Sequence, residues 1–184
     1  MKHKQVIRYF AGLALSLILF SPVAIFAEES KDDAIQQIKS HFDRINEGLE
    51  QFTHVQLLLN NYSSNGTLLD GYTKDGAVQM IKVEALNKKT RQNEVFYFND
   101  GQVVFVFRKR LRFDRPFGKI IETKIDRFFF LGDKLVSYLD GTAEKMDKTI
   151  ESMAKKIEGE SILFAKALKK APGPVNFKDL EKAE

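Results

Sequence analysis

The residues best suited to chemistry lie between Arg108 and Lys119. Arg108, Lys109, Arg110, Arg112, Arg115 and Lys119 place six cations in twelve residues, against one anion, Asp114. A guanidinium presents a planar fork of donors that fits phosphate and carboxylate, so such a run can bind anions. Alternate residues of a strand share a face, so Arg108, Arg110 and Arg112 project together if a strand runs through them. The same pattern also serves cross-strand ion pairing or protection of a sheet edge. Phe113 and Phe117 sit inside the run. The candidate ligand-binding set is therefore Arg108, Arg110, Arg112, Arg115, Lys119, Phe113 and Phe117, with Asp114, Glu122 and Asp126 as internal anions that compete for it.

Other chemistries find less support. His41 and His54 are the only histidines beyond the first three residues, there is no cysteine, and no metal-ligand spacing links the two. No Gly-x-Ser-x-Gly elbow or phosphate-cradling glycine loop occurs. Glu94, Asp100, Asp114, Glu122 and Asp126 could include a catalytic acid pair, but their simpler role is to partner the cations. The sequence therefore implies no cofactor, no metal and no catalytic residue.

Residues 1–27 read as a removable leader. Lys2, Lys4 and Arg8 precede an uncharged apolar core, Pro22 breaks it, and Ala27 offers a small residue before the cut. Tyr9–Ala27 also has about the length of a membrane anchor, but Ser21-Pro22 and Ala27 favour cleavage, leaving no membrane span. Export without cysteine suits a bacterial periplasmic or secreted protein. The leader's three basic residues account for most of the net charge of +4, leaving 26 basic against 25 acidic groups. The pI of 9.1 is thus no argument for nucleic-acid binding.

The remaining chain predicts one α+β domain, residues 28–171. Ser30 and Asp33 resemble a capping box, and Ile35, Ile38, Phe42, Ile45, Leu49 and Phe52 draw an apolar stripe along a helix over 31–51. An antiparallel meander of about six to seven strands follows over 53–139. Its strands include 53–60, which could also extend the helix, and 67–73, 77–86, 120–131 and 134–139. The turns Asp75-Gly76, Asp100-Gly101 and Gly132-Asp133 are strong hairpin signals. Nine of the 16 Phe lie between Phe96 and Phe130, and the strands there are apolar on both sides, so both sides are covered or one meets a ligand. Alternation puts Val103, Phe105 and Phe107 on one side. A second helix over 142–170, capped by Thr142, carries Met146, Ile150, Met153 and Ile157. Residues 172–184 read as a polar, mobile tail.

The hairpin Tyr97-Phe98-Asn99-Asp100-Gly101, with Arg112-Phe113-Asp114-Arg115-Pro116-Phe117-Gly118, resembles those of uncharacterised secreted bacterial proteins. It is also distantly similar to hairpin repeats of the MORN type. The resemblance implies an antiparallel sheet and an envelope location, with no activity attached. The functional expectation is a non-enzymatic envelope binding module using an aromatic sheet face and the cationic segment. Its partner would be an envelope protein or an anionic polymer or lipid, and not nucleic acid. The alternative is a carboxylate-dependent hydrolase acting on envelope polymers.

Overall fold

A computed structural model describes residues 30–171 and 173–182, so residues 1–27, which the sequence reads as a leader, lie outside the described residues. Ser30 opens helix α1 (Lys31–Glu47) by accepting the Asp33 N–H at 3.2 Å, and Asp32 and Asp33 complement the positive helix end. The helix was expected to reach Gln51. It stops at Gly48, whose N–H closes on the Arg44 carbonyl, and Leu49–Gln51 form a single 3₁₀ turn.

The strands are β1 (Thr53–Asn60), β2 (Thr67–Lys74), β3 (Ala77–Leu86), β4 (Thr90–Asn99), β5 (Gln102–Phe113), β6 (Ile120–Leu131), β7 (Lys134–Asp140), β8 (Ala143–Glu144) and β9 (Val175–Asn176). They form one nine-stranded sheet in the order β8-β7-β6-β5-β4-β3-β2-β1-β9. Every pairing is antiparallel except β1 with β9. The meander is as expected, but six to seven strands is too few. β8 and β9 are two-residue edge strands, too short to show an alternating pattern. The Asp75-Gly76 and Asp100-Gly101 turns have positive φ at both residues, the geometry that matches strand twist in a two-residue hairpin.

The sheet is covered on both faces. Along β4, Phe96 and Phe98 belong to one apolar cluster and Tyr97 to the other; along β6, Phe128 and Phe130 oppose Phe129 in the same way. The first cluster packs under helix α2 (Lys148–Lys169) through Ile150, Ala154, Ile157, Phe164 and Leu168. The second packs under α1 through Ile38, Phe42 and Ile45. One bulge resets the alternation. Tyr97 opposes Phe105 and Phe98 opposes Val103, leaving Val104 as the extra residue. Val103 therefore packs under α2 while Phe105 and Phe107 pack under α1, and the three do not share a side as expected.

Two boundaries near the C-terminus also differ from expectation. α2 starts not at Thr142 but behind Asp147, whose carboxylate accepts the Ile150 N–H at 2.9 Å; Ala143 and Glu144 pair with β7 instead. The segment read as a mobile tail adds β9 to the sheet and forms helix α3 (Phe177–Glu181). Val175, Phe177 and Leu180 are buried there, and the Phe177 ring meets Tyr62 and Phe164. Three apolar residues among many charges sufficed to dock it.

Candidate functional site: a cationic cleft between α2 and the sheet

Three cross-strand rows build the site. Glu94, Arg108 and Asp126 are neighbours across β4, β5 and β6; so are Gln92, Arg110 and Lys124, and Thr90, Arg112 and Glu122. Alternation turns Arg108, Arg110 and Arg112 to one face, as the sequence predicts, and that face is the one under α2. They line a cleft of about 480 Å³ with Arg91 and Lys124 from the sheet, Tyr62, and Met153, Lys156, Ile157 and Glu160 from α2.

Charge is graded along the cleft. At its inner end Glu94 and Arg108 are buried. Arg108 Nε donates to Glu94 Oε1, Gln92 Nε2 donates to Glu94 Oε2 at 2.9 Å, and an Arg108 Nη2 lies 3.7 Å from Glu160. Burial pulls the Arg108 pKa down, but Glu94 and Glu160 outweigh it and hold the guanidinium charged. Glu160 itself is pushed above the usual carboxylate range, by burial first and by the nearby Glu94 charge second. Tyr62, which donates to Glu160 at 3.3 Å, is pushed far up by burial and the two carboxylates. Beside this group Asp126 is fully buried, and it accepts from Arg110 at 2.9 Å and from the Tyr138 hydroxyl at 2.5 Å. Burial and that hydrogen bond raise the Tyr138 pKa. At the open end Arg112 pairs with Glu122 at 2.7 Å, both half exposed.

The internal carboxylates thus engage much of the arginine charge, but not every donor. The Nε atoms of Arg91 and Arg110 are buried without a hydrogen-bond partner among the described residues. Both guanidiniums are held through Nη2, Arg91 by Glu84 at 2.7 Å and Arg110 by Asp126 at 2.9 Å, so each Nε is a spare donor that a water or an anionic oxygen can satisfy.

The other residues of the candidate set lie elsewhere. Phe113, Arg115, Phe117 and Lys119 sit at the β5–β6 connection and do not line the cleft. The cationic cleft and the aromatic cluster under α1 are also separated. An apolar groove of about 520 Å³ beside α1, lined by Phe42, Tyr97, Phe105, Phe107 and Phe129 with Arg127 at its edge, opens on the opposite face. Sequence reasoning missed Arg91, Lys156 and Glu160 as cleft residues. Arg91 carried no signal beyond its charge. Lys156 and Glu160 sit one turn apart, a spacing common on any solvated helix.

The histidines are accounted for separately. His41 Nε2 lies 2.8 Å from the Phe98 carbonyl, and His54 meets Asp70 at 2.9 Å while stacking on Tyr72. Among the described residues no group of three or more His, Asp or Glu side chains is placed to hold a metal, and no helix is long and apolar enough to cross a membrane.

Fold and site together define a class: an α+β protein with an open meander sheet, a helix on each face, and a charged cleft under one of them. No protein-family model, curated protein or solved structure matches the chain, so the hairpin resemblance assigns no family.

Proposed function

We propose that the protein is a non-enzymatic binding module of the bacterial envelope that holds a phosphate- or carboxylate-bearing envelope component in the cleft. The observation that carries this reading is the buried, unpartnered guanidinium Nε donor of Arg110 in a cleft wall rich in arginine; Arg91 alternates to the other face of β4, where it pairs with Glu84 at 2.7 Å. Anionic oxygens are the acceptors such donors fit best. Residues 1–27 would deliver the chain to the periplasm or the medium and be cut after Ala27, which an intact mass of the native protein tests directly.

Thermal melts in pyrophosphate or citrate test the cleft. Ligand bound only by the folded state adds about 2.7 kcal/mol of stability at a hundredfold excess over Kd, so Tm rises at low salt and falls back as salt is added. Arg110→Gln, which keeps a polar but shorter and uncharged side chain, abolishes the rise. A wild-type Tm unmoved by either anion at millimolar concentration overturns the reading.

The hydrolase alternative rests on Glu160, the cleft carboxylate held towards its protonated form, as a general acid is. Hydrolysis of an envelope polymer that is lost in Glu160→Gln would favour it over binding alone.

A further inference from the structure

A second surface lies at one end of the sheet, outside the cleft. The β3–β4 turn and the β5–β6 loop meet there, joined by the Phe113 N–H donating to the Lys89 carbonyl at 2.9 Å. Leu86, Phe117, Ile120 and Ile121 are all exposed at this end. They are four of the eight large apolar side chains exposed among the described residues, so the exposure is concentrated and not scattered. Phe117 is 94 % exposed and has φ +58°, a left-handed conformation that glycine adopts freely and an aromatic residue does not.

The charge around these residues is of one sign. Among the described residues the side chains of Lys88, Lys89, Arg115 and Lys119 have no ionic partner. The loop's one carboxylate is turned inward: Asp114 Oδ1 accepts the N–H of Arg115 at 2.7 Å and of Lys119 at 2.9 Å. Glu122, just beyond, is held by Arg112. The loop is also closed on itself, with Gly118 N–H on the Arg115 carbonyl and Asp114 N–H on the Lys119 carbonyl. A Cβ at Gly118 would lie 1.9 Å from Asp114 Oδ1, so this tight closure requires glycine.

We infer that this end of the sheet docks on an anionic lipid bilayer, with Phe117 entering the boundary between headgroups and acyl chains. Phe117 projects from a pre-shaped tip. It fits a flat and deformable surface that takes an aromatic side chain and presents phosphate to the surrounding cations. Ile120 and Ile121 follow Phe117 to shallower depth, and the four unpaired cations lie at the phosphate level. Each cation strengthens partitioning about fivefold. This inference does not depend on the cleft, whose arginines face α2.

The chain contains no tryptophan, so Phe117→Trp in the full chain introduces a single tryptophan at the tip, excited selectively over the tyrosines. Ile162→Trp places one on an exposed site of α2 as the reference. Vesicles of phosphatidylglycerol and phosphatidylcholine, with and without brominated acyl chains, are the probe. The expected result is a blue-shifted emission for the 117 reporter, quenched by brominated lipid, while the 162 reporter stays unquenched. Changing Lys88, Lys89, Arg115 and Lys119 to Gln lowers partitioning about a hundredfold or more, without moving the urea midpoint of these exposed sites. Unchanged emission of the 117 reporter on anionic vesicles at low salt overturns the inference. So does equal quenching at 162, which would mean attachment through another part of the chain, or equal binding to pure phosphatidylcholine.

Discussion

Arg108 and Glu94 face each other across β5 and β4, and their side chains join by a hydrogen bond from Nε in the buried end of the cleft. Removing one partner of a buried pair strands the other charge, at a cost of about 3–5 kcal/mol. Arg108→Ala should therefore lower stability by that amount in urea melts. Replacing both residues by apolar ones, Arg108→Met with Glu94→Leu, should recover most of it. Arg112→Ala removes a half-exposed pair and should cost about 0–1 kcal/mol. Equal losses at positions 108 and 112 would contradict the burial gradient.

Glu160 gives a pH signature. Its pKa in the folded protein is raised above that of a free glutamate, about 4.5, by burial first and the Glu94 charge second, so between the two values the folded state binds more protons than the unfolded state. Stability then falls as pH rises from about 4.5 through the folded pKa, and the penalty stays constant above it. Glu160→Gln lacks this ionisation. Its urea midpoint should gain on wild type as pH rises from 4 to neutrality; parallel profiles would show that Arg108 and Lys156 fully offset the burial of the charge.

Gly71 on β2 makes room for α2. A Cβ at this position would lie 2.3 Å from Leu168 Cδ1. Gly71→Ala should shift Leu168 and lift that end of the helix, costing about 1–3 kcal/mol as overpacking does. Adding Leu168→Ala should relieve the clash, so the double variant should lose less than the sum of the two single losses.

Phe177 tests the docking of the C-terminal segment. It is buried against Tyr62 and Phe164, so Phe177→Ala should cost about 3 kcal/mol. It should also raise amide exchange in β9 and α3, which local opening would release first. A loss within about 0.5 kcal/mol would mean that the segment contributes little to the fold.

Local chemistry alone determined several features of this protein. Asp-Gly pairs between apolar runs specify hairpins because both turn residues must take positive φ. The spacing of Ile35, Ile38, Phe42 and Ile45 specifies α1 because a helix repeats every 3.6 residues. The two-sided apolar runs in β4 to β6 called for a layer on each face or a ligand on one, and the structure supplies a helix for each. Period two grouped Arg108, Arg110 and Arg112. It also grouped Val103 with Phe105, and there it failed, because a single extra residue, Val104, reverses every side chain beyond it and leaves no mark in composition. Only the tertiary structure decided which layer lies over the arginines. Glu160 is 52 residues from Arg108 in sequence and meets it because α2 crosses that end of the sheet. The same packing brought Val175 beside Leu59 to form β9. It also sorted one cationic run in two: Arg108 became a buried partner of Glu94, and Arg115 and Lys119 remained free beside an exposed Phe117. Burial and long-range contacts set those outcomes, and neither is encoded within a single turn of chain.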